Sequence, residues 1–269
     1  MEVKTKLFRR DFTLVVIGQI ISLFGNAILR FALPYYLLKE TGSSTLFGLV
    51  TACSFLPMVV LSMVGGILAD RINKRNIMVG LDFSTAIIIT LFYLSLGKLP
   101  MVPLFIVFLM LLYGISGAYQ PSVQASVPLL VSSDKLTVGN AVINQVNTLA
   151  NFVGPAIGGI VLQFYGITPI LIASIVCFTF SAIMEIFIHI PYQKRVRETG
   201  VFTVAKNDLK DSFRFLRHEK PIFISVIILV CIFNLVLSAV LIVGLPILIS
   251  EVLGMSDTLY GFSQAALSL

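Results

Sequence analysis

Tryptophan is absent from this chain, and its 269 residues hold only two histidines and three cysteines. Cys53, Cys177 and Cys231 stand far apart, each inside an apolar run, so neither a disulfide framework nor a Cys/His metal site has the spacing it needs. They read as small apolar packing residues. Phosphate-cradling glycine loops and nucleophile elbows are also missing, and no metal, cofactor or enzymatic chemistry is expected. Charge is scarce as well. Charged residues make up 12% of the chain, against roughly 25% in soluble domains, which excludes an ordinary soluble fold.

What fills the chain instead is hydrophobic side chains, 57% of all residues. They gather in uncharged runs of about twenty residues, the length that crosses ~30 Å of hydrocarbon. A barrel would show short alternating strands, so these runs read as helices, which satisfy their own backbone groups in lipid. Spans are expected at 12–38, 46–69, 77–97, 102–131, 136–165, 167–190 and 221–250, with an eighth beginning near Leu259. Tyr35, Tyr36, Tyr93, Tyr165 and Tyr192 fall near span ends, where an aromatic belt would lie.

The net charge of +6 invites thoughts of nucleic acid. Topology explains it better, and no nucleic-acid partner is expected. Of the 19 basic residues, 16 fall in the segments on the N-terminal side of the membrane. Lys39 and Lys98 lie on the opposite side and Arg30 within the first span. The positive-inside rule then puts the N-terminus in the cytoplasm of a multi-pass plasma or inner membrane protein. The N-terminus resembles a signal peptide but lacks a small-residue cleavage site, so it reads as a retained span. Between spans six and seven, Leu209, Phe213 and Leu216 share one helical face while Lys210, Asp211, Arg214 and Arg217 occupy others. That pattern predicts an amphipathic surface helix. The expected organisation is a six-helix bundle over 1–190, a cytoplasmic linker over 191–220 and the start of a second bundle over 221–269. The eighth span stops part way, as expected of a truncated chain.

One charged cluster interrupts the second and third spans: Gly66-Ile67-Leu68-Ala69-Asp70-Arg71-Ile72-Asn73-Lys74-Arg75. It resembles the helix 2–3 loop of the major facilitator superfamily, Gly-x-Leu-Ala-Asp-Arg-x-Gly-Arg-Lys. Gly66, Leu68, Ala69, Asp70 and Arg71 match directly, and Lys74 and Arg75 keep the basic places. Asn73 stands where the family has Gly, so a left-handed backbone is expected there, which Asn tolerates best among non-glycine residues. Asp70 is suited to the positive end of a neighbouring helix, and Arg71, Lys74 and Arg75 to acids or lipid phosphates. In the family this loop latches the two halves together.

Gly154-Pro155-Ala156-Ile157-Gly158-Gly159 resembles the antiporter motif of drug-exporting facilitators. Its small residues permit close helix approach, and Pro155 removes a backbone hydrogen bond. Further landmarks, Gly18-Gln19, Ser22 to Asn26, Thr41-Gly42-Ser43, Ser126 to Val131 and Phe213 to Leu216, are similar to the branch of macrolide-efflux proteins and the enterobactin exporter. The implied fold is all-α transmembrane, repeated three-helix units working by alternating access.

Polar residues inside spans are where substrate chemistry belongs, because lipid makes them costly otherwise. Span one carries Gln19, Ser22, Asn26 and Arg30 on one face, and span four Tyr113, Gly117, Gln120 and Gln124. The resemblance implies that helices 1 and 4 line the central cavity. Gln19, Ser22, Asn26, Arg30, Tyr113, Gln120 and Gln124 are therefore the candidate lining, with interhelical hydrogen bonding as the rival reading. In span five Asn140, Asn144, Asn147 and Asn151 run into Gly154 and Gly158, and packing is favoured there. Arg30 is expected to snorkel outward. Asp82 is a candidate partner for the basic loop, and Glu185 and His189 form an i, i+4 pair. Asp82 and Glu185 are the candidate proton-coupling carboxylates, although the family places helices 3 and 6 toward lipid.

Two departures from drug-exporting relatives stand out: span four has no Arg, and Asn26 takes a place where relatives often have an acid. The expected function is proton-coupled efflux of a small amphipathic compound, macrolide-like or siderophore-like, with the lipid bilayer, the substrate and protons as partners. A short transporter acting as a dimer and a non-transporting scaffold or sensor remain alternatives, and the oligomeric state is open.

Overall fold

Short caps rather than long loops set most helix ends. The computed structural model describes residues 7–191 and 221–267, the side chains of Asp70, Pro221 and Ile222 excepted. In it α1 (Arg10–Thr41) ends on Gly42, whose φ of 58° is left-handed and whose N–H reaches Leu38 O. One residue later, the Ser43 side chain accepts from Leu46 N and starts α2 (Ser44–Arg71). α3 (Lys74–Ser95), α4 (Met101–Leu130), α5 (Leu136–Tyr165) and α6 (Ile167–Ile186) follow with similarly brief turns. Then come α7 (Pro221–Ala239) and α8 (Asp257–Ala266), and no strand occurs among the described residues. Two π-helical segments, Val240–Gly244 and Leu248–Val252, extend α7 and flank Pro246, which cannot donate to a regular ladder.

Seven described helices are long and apolar enough to cross a membrane, and the all-α transmembrane expectation holds. Leu56, Val60, Ile87, Leu91, Val176 and Phe180 point out of the bundle, as lipid-facing side chains should. Within the bundle, α2 lies along α4, α1 along α5 and α6, and α3 along α6 and α4. An aromatic core of Phe92, Phe105 and Phe108 joins α3 to α4, with ring centroids 4.1–4.9 Å apart.

Several local expectations change. Asn73 has φ −60° and ψ 118°, not a left-handed backbone. It is the N-cap of α3, its side chain accepting from Arg75 N at 3.0 Å, which explains why Asn suits the position. α6 stops at Ile186, four residues early. Its end turns back so that Ile188 and Ile190 join a core with Phe12 and Val15, and Asp11 accepts from His189 N at 2.9 Å. Pro191 disfavours helix at Ile190 as well. The Glu185–His189 pair therefore does not form. Cys231 faces outward on α7 instead of packing, while Cys53 and Cys177 are half-buried. The linker expected around Leu209, Phe213 and Leu216 lies outside the described residues, as does the Asp70 side chain.

Candidate functional site

α1 carries its polar stripe past two different neighbours. Near its start it runs along α6, where Gly18 leaves room for Glu185 and Ser181, and the Ser181 hydroxyl donates to Gly18 O at 3.2 Å. Here Gln19 Nε2 donates to the Tyr119 hydroxyl at 2.7 Å and Ser22 Oγ reaches the same oxygen at 3.3 Å. Tyr119, on α4, in turn donates to Glu185 Oε1 at 2.7 Å. Asp82, from α3, is buried beside the same cluster and interacts electrostatically with Glu185, and neither Asp82 Oδ2 nor Glu185 Oε2 has a hydrogen-bond partner. Asp82 is 3% exposed and Glu185 0%. No basic residue pairs with either among the described residues, so Asp82 does not join the basic loop.

Gln19 and Ser22 thus line neither of the two cavities described next; Gln19 Nε2 and the Ser22 hydroxyl turn to Tyr119 instead. Tyr119 was not among the sequence candidates. Its position in mid-span, away from the interfacial belt, was the available signal.

Two turns further on, α1 packs closely on α5 as well. A Cβ on Gly154 would stand 2.6 Å from Ala27 Cβ, so only glycine permits this approach. Beyond Asn26, the stripe opens onto two adjoining cavities of about 460 and 250 Å³. Ala27, Arg30 and Asn151 border both. The larger has aromatic walls from Phe31, Phe55, Tyr113 and Tyr260, with Thr51, Thr148 and Gln264 between them. The smaller is edged by amides, Asn26, Gln120, Gln124 and Asn147. Gln120 Nε2 donates to Asn147 Oδ1 at 3.0 Å. Asn147 thus makes an interhelical bond to α4 while it also edges the smaller cavity, and Asn151 borders both cavities. Arg30 does not snorkel: its guanidinium sits 4.5 Å from the centre of the Tyr113 ring.

The antiporter-like motif closes one end of these cavities. Gly158 faces Phe31 and Ile28 of α1, while a Cβ on Gly159 would lie 2.6 Å from Asp257 O on α8. Around that crossing, Lys39 Nζ pairs with Asp257 Oδ2 at 2.7 Å, and the Tyr35 hydroxyl donates to Oδ1 at 3.1 Å. Tyr260 stacks on Phe31 and meets Tyr35 at a tilt, and Gln163 Oε1 accepts from Thr258 N and Oγ1. Ser44 donates to Glu251 at 2.6 Å. These bonds join α1, α2 and α5 to the α7–α8 segment at the membrane face opposite the N-terminus.

A polar cavity inside a helical bundle, walled by α1, α2, α4 and α5 and closed by elements beyond the sixth helix, defines a membrane carrier architecture. Residues 15–269 match the Major Facilitator Superfamily model, and the chain belongs to that family. It is 25% identical over 224 residues to macrolide efflux protein A of Streptococcus pyogenes, covering 80% of this chain and 53% of that protein. It is 24% identical over 206 residues to the staphyloferrin A transporter of Staphylococcus aureus, covering 75% and 51%. With the multidrug resistance protein MdtG of Salmonella typhi the figures are 26% over 211 residues, covering 74% and 51%. The chain spans about half the length of the curated relatives it matches.

Proposed function

We propose that this chain supplies the N-terminal half, and the first elements of the second half, of a proton-coupled exporter of small amphipathic compounds. The observation that carries the reading is the aromatic and amide-lined cavity, of a size and character that small-molecule sites share. The names of the relatives, a macrolide efflux protein, a siderophore transporter and a multidrug resistance protein, agree with export of such compounds. The uneven distribution of basic residues supports a cytoplasmic N-terminus. The seam around Lys39 and Asp257 then lies on the outer face, and its opening would expose the cavity to the outside.

The buried cluster supports the coupling role. Two carboxyl groups without a cation beside them cannot both be charged cheaply in a dry interior, so a proton on one of Asp82 and Glu185 suits the site. Tyr119 links Glu185 to Gln19 and Ser22 on α1, the helix that also borders the cavity. Gain or loss of that proton would change the packing of α1 against α6. The test is efflux in proteoliposomes holding the complete gene product. An imposed pH gradient should drive accumulation of a carboxylate siderophore, and its collapse by an uncoupler should stop it. Accumulation that ignores the gradient would contradict the coupling.

A further inference from the structure

We infer that the cavity is built for amphipathic organic anions, and that Arg30 is the residue that recognises their carboxylate. This rests on the reading of the cavity as a substrate site and names the substrate class it takes.

Arg30 brings a permanent positive charge to the junction of the two cavities. Among the described residues, no aspartate or glutamate lines either one. The ion pair found among the described residues is Lys39–Asp257, so no carboxylate neutralises Arg30 among them. A guanidinium inside a membrane protein without a counter-ion is unfavourable unless something supplies one. The ring of Tyr113 holds it from one side at 4.5 Å, which fixes the planar group without using its N–H donors. Those donors form the rigid fork that binds a carboxylate in bidentate fashion.

The surroundings complete the match. Thr51 presents a buried hydroxyl with no hydrogen-bond partner, and Gln120 Oε1 is likewise unpartnered at the edge of the smaller cavity. Phe31, Phe55 and Tyr260 offer apolar faces for the rest of the ligand. A cationic amphipath would find the same aromatic walls but would meet Arg30 as a like charge with no acid to offset it. The arrangement therefore selects on the sign of the ligand's charge.

The test uses two fluorescent probes of opposite charge: the dansyl amide of aminooctanoic acid and dansylcadaverine. Binding is titrated to the full chain in phosphatidylcholine nanodiscs, with empty nanodiscs subtracted. Wild type should bind the anion at least about 10-fold more tightly. Arg30→Gln should weaken the anion by about 10- to 100-fold, the range for losing a charge-assisted hydrogen bond, and should not weaken the cation. Arg30→Lys should keep the order of preference, which a merely structural role for the guanidinium would not require. Size-exclusion profiles confirm that each variant is folded.

Thr51→Phe separates the two levels of the claim by filling the cavity. If both probes bind equally, lose affinity in Thr51→Phe and ignore Arg30→Gln, the cavity is a ligand site but the anion assignment is wrong. If neither probe binds wild type, the cavity reading and the anion assignment both fall.

Discussion

The first half of α1's polar stripe and its second half have the same spacing and similar residues, yet they do different things. Gln19 and Ser22 are buried and donate to Tyr119, in a cluster with Glu185 and Asp82. Asn26 and Arg30 border open cavities. The neighbours make the difference: Gly18 brings α1 onto α6, whereas Ala27 brings it onto α5 at Gly154. A polar face on a membrane helix is therefore not one site. Its chemistry changes wherever the partner helix changes.

The comparison predicts that substitutions in the first region reduce stability and those in the second reduce binding. Tyr119→Phe should have the largest effect on stability. It removes one oxygen but strands Gln19 and Glu185 in a dry interior, at about 1–3 kcal/mol for each unsatisfied group. Thermal unfolding in detergent should show this loss, while anionic probe binding at Arg30 stays within a few-fold. An unchanged unfolding temperature would mean that the cluster does not hold the bundle together.

Lys39→Ala comes next. It leaves Asp257, whose side chain is 8% exposed, with the Tyr35 hydroxyl alone. Lys39 itself is 47% exposed, so solvent weakens the pair and the loss should be about 1 kcal/mol. Spin labels on the outer ends of α1 and α8 should then show a broader, longer distance distribution. The smallest stability effect is expected for Asn26→Ala, within about 0.5 kcal/mol, because no bonded partner is stranded. Its effect should appear in probe affinity instead.

Much of this arrangement was legible in the sequence. Apolar runs gave the spans to within a few residues, because lipid allows so few ways to satisfy a backbone. The glycine motif marked the place where α5 meets its neighbours, since only glycine lets backbones come so near. Asp82 and Glu185 were conspicuous as rare intramembrane acids, but nothing local showed that they meet. They are about a hundred residues apart, and α3 and α6 were expected to face lipid. Tyr119 was hidden because it lies on a different face of α4 from Tyr113, Gln120 and Gln124. Arg30 was expected to reach the membrane surface; the Tyr113 ring that holds it inward comes from another helix. Asn73 was misread because capping and left-handed turns favour the same residue type, and only the dihedral angles separate them.

The proposed division of α1 gives proton coupling to one end and substrate to the other. Glu185→Gln tests it most directly, because the amide keeps the shape and the hydrogen bond with Tyr119 but cannot lose a proton. In proteoliposomes holding the complete gene product, the variant should still bind and exchange the dansyl carboxylate like wild type. It should no longer accumulate the probe when a pH gradient is imposed. Accumulation at the wild-type rate, or loss of binding together with accumulation, would contradict the division.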